Sequence, residues 1–448
     1  MHASVTHDAR RSGARVCCGM IAPAVKRAFG QRKPQSSNPA AEKKKPSVAK
    51  DNLHALFSIA IEPGIFSCVK SSHGPLIAAA TTDGSVVFVD GTEGKIISRS
   101  DMIHEDPPNV LVFASKWLVH CCDDATVRCL SPQGGPLVHT HTVTEPAHDG
   151  KRPRIVPIDH ATVVTDGGVA YVAAAGRLVH TCGVPDGELQ HSVHLESPVR
   201  AICAAATSQP SPSWSYALAT ADGVRLMSRA GEAVRELTSK RIVRSLGSTD
   251  GKWLAAATMD GSVELWDVAT PRQASGPYYT LNAYNGSDGM TLEWRPDGGA
   301  LAIGGKRGAV FDFTGSNAPH PYRANTARSN APIGVGQPDP IPRVCMADGA
   351  KCVAWAACPE DSAASRLATV GEDGVVRVLQ PHLPPLRKGG NGNPAQPHLM
   401  KPLFYTFVKE DAAHPSGEVA TPCAVMWLRE DSVAVAYLTG EIVAWRVS

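Results

Sequence analysis

Leu254-Ala-Ala-Ala-Thr-Met-Asp-Gly-Ser-Val-Glu-Leu-Trp-Asp267 reads as a β-hairpin. A run of small apolar residues enters Asp260-Gly261, a pair that accepts the positive φ of a tight turn. The strand that leaves the turn alternates, with Val263 and Leu265 separated by polar residues, which predicts one side laid against a neighbouring sheet.

The phrase recurs along the chain. Leu76-Ile-Ala-Ala-Ala-Thr-Thr-Asp-Gly-Ser-Val-Val-Phe-Val-Asp90 and Leu367-Ala-Thr-Val-Gly-Glu-Asp-Gly-Val-Val-Arg-Val-Leu379 are full copies. Asp124-Ala-Thr-Val-Arg-Cys-Leu130, Arg307-Gly-Ala-Val-Phe-Asp-Phe313 and Thr439-Gly-Glu-Ile-Val-Ala-Trp445 keep the register with substituted turns, while Gly176-Arg-Leu-Val-His-Thr181 and Asp222-Gly-Val-Arg-Leu-Met227 are shorter. These eight hairpins have turns roughly 38 to 67 residues apart. A fixed period is the mark of a repeat architecture, and the longer intervals imply loop insertions. With 40 Gly and 35 Pro in 448 residues the chain is rich in turns without being low in complexity, as an all-β repeat fold requires.

On these residues the chain resembles the WD40 repeat β-propeller family over about residues 53–448. The full Asp-Gly…Trp-Asp signature stands once, at Asp260, Gly261, Trp266 and Asp267, with partial matches at Asp83/Gly84/Asp90, Asp124, Asp373/Gly374 and Trp445. The resemblance implies a buried hydrogen-bonded network of a strand Ser/Thr, the turn Asp, the strand Trp and an upstream His. Thr258, Asp260 and Trp266 match three of those four, and Ser239-Lys240 stands where the Gly-His pair would fall. The expected fold is therefore an all-β propeller of eight blades, with seven as the alternative. The last unit stops after its third strand, at Trp445-Arg-Val-Ser448, so the strand-like run Leu56-Phe-Ser-Ile-Ala-Ile-Glu62 is expected to complete it and close the ring. Closure removes sheet edges that would invite aggregation.

Residues 1–52 hold eleven Lys/Arg and three Asp/Glu, a net of +8, which leaves −6 for the rest of a chain whose total is +2. A mildly acidic body with a basic tail does not resemble a dedicated nucleic-acid-binding domain, which shows a basic face on the fold itself. The tail reads as disordered. It fits a solvated extension, a nuclear address around Lys43-Lys-Lys-Pro46, or a mitochondrial presequence carrying Arg10, Arg11, Arg15, Lys26, Arg27 and Arg32. Insertions are expected near 315–344 and 381–400, the second with Pro381 and Pro384 at P-x-x-P spacing, and a shorter one at Ser208–Ser213. There are 12 Cys and no C-x-x-C; Cys121, Cys129, Cys203 and Cys352 lie in apolar runs and read as small buried hydrophobes in a reducing compartment. No apolar run approaches the ~18 residues that span a bilayer.

The search for reactive groups returns decoys. Gly298-Gly-Ala-Leu-Ala-Ile-Gly-Gly-Lys306 has the wrong glycine spacing for a phosphate-binding loop, and Arg307 replaces its metal-holding hydroxyl. His139 and His141 alternate on a strand, but two ligands do not make a zinc site. Asp123 and Asp124 flank a turn that already explains one of them, and His180, His191 and His194 read as surface histidines. Trp214, Tyr216, Tyr278, Tyr279 and Tyr284 are candidate rim aromatics. No catalytic set, cofactor site, metal site or small-molecule substrate is read from the sequence. The expected function is a non-enzymatic protein-interaction scaffold, an intracellular subunit of a multiprotein complex. The alternative is a nuclear or mitochondrial ribonucleoprotein component whose basic tail touches RNA.

Overall fold

The computed structural model describes residues 53–62, 66–71, 74–100, 108–134, 139–145, 154–205, 213–249, 253–269, 275–277, 279–282, 291–295, 298, 300–304, 309–312, 350–355, 366–371, 375–380, 401–407 and 421–447. The tail 1–52, both long insertions, residues 208–212 of the shorter one and the Asp373-Gly374 turn lie outside them.

The described elements are antiparallel sheets in which consecutive strands pair. Sheet 1 is Phe66–Ser71, Leu76–Thr81, Val86–Asp90 and Lys95–Arg99; sheet 2 is Pro108–Ala114, Trp117–Cys122, Thr126–Leu130 and His139–Thr142. Sheet 3 is Ile158–Val164, Ala170–Ala175, Leu178–Gly183 and Leu189–His194; sheet 4 is Ala201–Ala204, Tyr216–Ala219, Val224–Met227 and Ala233–Leu237. Sheet 5 is Val243–Thr249, Trp253–Thr258, Ser262–Asp267 and Tyr279–Asn282; sheet 6 has Thr291–Trp294, Ala300–Gly304 and Ala309–Asp312. Sheet 7 is Ala350–Trp355, Leu367–Gly371, Val375–Gln380 and Lys401–Phe407. Sheet 8 is Pro422–Arg429, Ser432–Tyr437 and Glu441–Val447, with Leu53–Ala60 as its outermost strand, Leu53 opposite Val447 and Ala60 opposite Glu441. A two-stranded pair, Thr144–Glu145 with Arg154–Ile155, stands between sheets 2 and 3 in the order of the chain.

The first strand of each sheet contacts the first strand of the next, and the first strand of sheet 8 contacts that of sheet 1. Up-and-down pairing puts the turn between strands two and three at the same end of a sheet as the link to the following sheet. We call this end the turn face.

The alternating strands are covered on both sides, not one. Val87 and Val89 of sheet 1 pack with Ala434, Ala436, Ile442 and Ala444 of sheet 8, while Val86 and Phe88 of the same strand pack with Leu111, Leu118 and Leu130 of sheet 2. Sheet 3 is sandwiched in the same way between sheets 2 and 4. A strand with a sheet on each side has no solvent face, so even the polar positions of Ser262–Asp267 are buried through Trp266. The alanine runs at 78–80 and 255–257 follow from this: all six residues are fully buried, and small side chains let two flanking sheets approach one strand.

The hairpin turns share one geometry. The amides of Gly84, Gly261 and Gly440 each donate, at 3.0 Å, to the carbonyl three residues back, and each glycine has φ 84°. Ala125 holds the same place in sheet 2 at φ 62°, its amide 3.2 Å from the Cys122 carbonyl. The turn therefore accepts an L residue at a strain cost. Gly261→Ala is expected to lower stability by about 1–2 kcal/mol, the ordinary left-handed penalty, in urea denaturation. A change below a few tenths of a kcal/mol would mean that the turn relaxes.

Candidate functional site

The turn face is built from the signature residues. In sheet 5 the Thr258 hydroxyl donates to Asp260 Oδ1 at 2.6 Å and lies 2.9 Å from the Ser262 carbonyl, and the Ser262 amide donates to Asp260 Oδ1 at 3.0 Å. Asp260 Oδ2 then accepts from Arg241 Nε at 2.6 Å, and Arg241 Nη1 donates to Glu264 Oε1 at 3.1 Å. Burial alone would raise the Asp260 carboxyl. Hydrogen bonds from Thr258, the Ser262 amide and Arg241 outweigh it and hold the group at about 2.

Sheet 1 repeats the device. Thr81 and Ser85 hydroxyls and the Ser85 amide donate to Asp83 Oδ1 at 2.5, 2.8 and 3.0 Å, and Arg99 lies 3.5 Å from Asp83 Oδ2. Burial opposes ionisation of Asp83, but these donors and Arg99 leave its carboxyl below the usual range. In sheet 2 the Thr126 amide and hydroxyl donate to Asp124 at 2.8 and 2.6 Å, with Arg128 at 4.0 Å. Thus Gly-His is absent, and arginine supplies the charged partner of the turn aspartate. The sequence reading missed this. Its signal was a basic residue near each turn: Arg99 at the end of sheet 1, Arg128 within sheet 2 and Arg241 before sheet 5.

Trp266 does not join the network. Its ring is buried, and its Nε1 finds no partner among the described residues. The indole acts through packing between sheets 4 and 5, against Leu226 and Leu254 among others. Trp266→Phe should cost no more than about 1 kcal/mol, since the lost packing volume is offset by removing a buried unpaired donor. A loss near 3 kcal/mol by thermal or chemical denaturation would restore the hydrogen-bonded role. Asp267 caps its strand by accepting from the Ala269 amide at 3.1 Å. Trp445 is buried between sheets 7 and 8.

Several expectations are corrected. Trp214 and Tyr216 are not rim aromatics: they are 1% and 0% exposed, and pack with the cores around sheet 4. Tyr278 and Tyr284 lie outside the described residues. His180 is not at the surface but 8% exposed; His141 stands on the edge strand of sheet 2, its Nε2 2.8 Å from His180 Nδ1. Asp123 accepts from Asn109 Nδ2 at 2.5 Å, tying the sheet 2 turn to its first strand. Ala300–Gly304 of the glycine-rich decoy is a buried strand. Cys121, Cys129 and Cys352 are buried thiols, and Cys203 is half-buried.

Beside the sheet 5 turn the face becomes apolar. Met259 and Ile242 are 48% and 41% exposed and adjacent, the Met259 amide donating to the Ile242 carbonyl at 2.8 Å. Arg244 Nη2 lies 3.4 Å from Met259 Sδ, and Lys240 is exposed. A flexible thioether and an aliphatic side chain edged by cations are side chains suited to docking a partner. Among the described residues no three His, Cys, Asp or Glu side chains gather as metal ligands, and no helix is long and apolar enough to cross a membrane.

The WD domain, G-beta repeat family matches residues 231–267, which contain Arg241, Ile242, Met259 and the whole sheet 5 network. No curated protein sequence matches the chain. Among solved structures, the computationally designed Ika8 protein aligns with a TM-score of 0.59 at 13% identity, covering 88% of this chain and 99% of its own. The β-propeller domain of Cps50 (Swd1) from Myceliophteria thermophila aligns with a TM-score of 0.47 at 14% identity, covering 88% of this chain and 100% of its own. At such identities a likeness speaks for fold alone. The chain carries a WD40 repeat at residues 231–267, set in an all-β fold of repeated antiparallel sheets, and its resemblance to the WD40 repeat proteins rests on both.

Proposed function

We propose that this chain is a non-enzymatic protein-interaction scaffold, a subunit of a multiprotein complex, built as an eight-bladed propeller closed by Leu53–Ala60. The observation that carries the function is the exposed Met259–Ile242 pair on a turn rigidified by the Thr258–Asp260–Arg241–Glu264 network, inside the segment that matches a WD repeat. A fixed turn presents its anchor without losing ordering entropy on binding. Eight blades, in preference to seven, is supported by eight sheets of three or four strands and by contact between sheets 8 and 1. The signature residues Thr258, Asp260, Gly261, Asp267, Asp83, Gly84, Asp124, Asp373, Gly374 and Trp445 serve the scaffold and not a reaction.

Affinity purification from the source cell is expected to recover stoichiometric protein partners. Ile242→Glu with Met259→Glu should cut that recovery at least tenfold at unchanged melting temperature. Recovery of a lone chain at native abundance would overturn the reading. A second reading, a nuclear or mitochondrial ribonucleoprotein component, draws on the +8 charge of residues 1–52. It requires that deleting those residues weaken RNA association and flatten its salt dependence.

A further inference from the structure

His141 lies on the outermost strand of sheet 2 and His180 on the third strand of sheet 3, and they meet across the seam between the two sheets. The facing ring nitrogens are 2.8 Å apart, with centroids 5.1 Å apart and planes tilted by 55°. We propose that this pair is a pH-sensitive latch between sheets 2 and 3, closed while at least one imidazole is neutral and opened by proton uptake on both.

The argument is donor counting. An imidazole–imidazole hydrogen bond needs one N–H and one lone pair. A first proton can reside on the more exposed His141, whose Nε2–H still donates to His180 Nδ1. A second proton aims two N–H groups at each other and puts two cations in contact. Cys121 and Cys129 face the seam from sheet 2, Tyr171 and Cys182 from sheet 3. Burial pushes the Cys129 and Cys182 thiols up to about 12 and 11, and raises the Tyr171 phenol further. Those three groups stay neutral. Asp186, in the turn after the His180 strand, is the carboxylate that acts on Cys129 and Cys182; His139 stands two residues before His141, and His194 pairs opposite Leu178 at the exposed end of the fourth strand. Burial first, and His141 second, hold His180 down at about 4.

The latch sits where release has a consequence. Among the described residues the His141 strand pairs with Thr126–Leu130 alone, and the chain leaves it for the Thr144–Glu145/Arg154–Ile155 pair, where Ile155 is 62% exposed. Protonation on both sides therefore loosens an edge strand together with a projecting hairpin.

Hydrogen exchange of the intact chain over residues 139–145, corrected for intrinsic exchange, tests this. Released histidines titrate near 6.5, so lowering the pH from 7.5 to 5.5 should raise opening about tenfold for the one additional proton taken up. His180→Gln keeps a polar partner for His141 but has no proton to gain, and its opening should stay flat. Imidazole nitrogen NMR of the wild type supplies a second readout that needs no variant, in which His180 stays neutral at pH 5.5 while the strand is protected. An unchanged wild-type strand, an equal rise in His180→Gln, or a His180 that titrates near 6.5 with the strand still protected would each overturn the latch.

Discussion

Replacing Arg241 by alanine is expected to lower stability by about 3 kcal/mol, because it leaves a buried carboxylate without its cation. Glu264 is 2% exposed at its side chain; its Oε1 accepts from Arg241 at 3.1 Å, and Oε2 has no partner among the described residues. The same guanidinium ties Asp260 from a second nitrogen. Lysine offers one centre of charge and not two, so Arg241→Lys should recover less than half of the loss. The double change Arg241→Met with Glu264→Leu should recover most of it, since removing both charges together removes the desolvation cost. Urea denaturation of the four proteins decides the matter. If Arg241→Ala costs under 1 kcal/mol, the network is a surface ornament and the rigid turn behind the docking anchor is lost with it.

The second large effect is expected at Gly94. This residue has φ 66°, and a β-carbon there would lie 2.4 Å from Phe57 Cγ and 2.6 Å from Cδ2. Phe57 belongs to the strand that completes sheet 8, and Gly94 to the turn before the last strand of sheet 1. The left-handed penalty of about 1–2 kcal/mol adds to an overpacking cost of about 1–3 kcal/mol, so Gly94→Ala should cost about 3 kcal/mol. Most of the overpacking share should vanish in a Phe57→Ala background, leaving the backbone share. Equal costs in both backgrounds would show that the sheet 8 strand does not press on sheet 1.

Much of the architecture was legible because the hairpin phrase is local. Asp-Gly with small residues before it and alternating ones after it specifies a turn and two strands within fourteen residues, and the described copies form those paired strands, covered on both sides where the sequence predicted one. That the run Leu56–Glu62 supplies a strand to the last unit was also foreseen, from a unit one strand short; the strand itself runs Leu53–Ala60. What a neighbouring sheet does to a side chain was not legible. Trp214 and Tyr216 look alike as rim or core until the second covering sheet is known. The meeting of His141 and His180 depends on two strands 39 residues apart being brought face to face. Arg241 was hidden for another reason: the family comparison directs attention to a histidine, whereas the charge that the turn aspartate needs can come from any cation within reach.

The ladder that joins Leu53–Ala60 to Glu441–Val447 also sets how the molecule bears load. Leu53 and Val447 are direct partners at one end of the ladder, so opposite pulls on these two residues open its hydrogen bonds one pair at a time, like a zipper. A partner that tugged on the basic segment ahead of Leu53 while holding residue 447 would peel the outer strand inward from Leu53 at low force, until it reached Phe57, whose packing against sheet 1 would resist the next step.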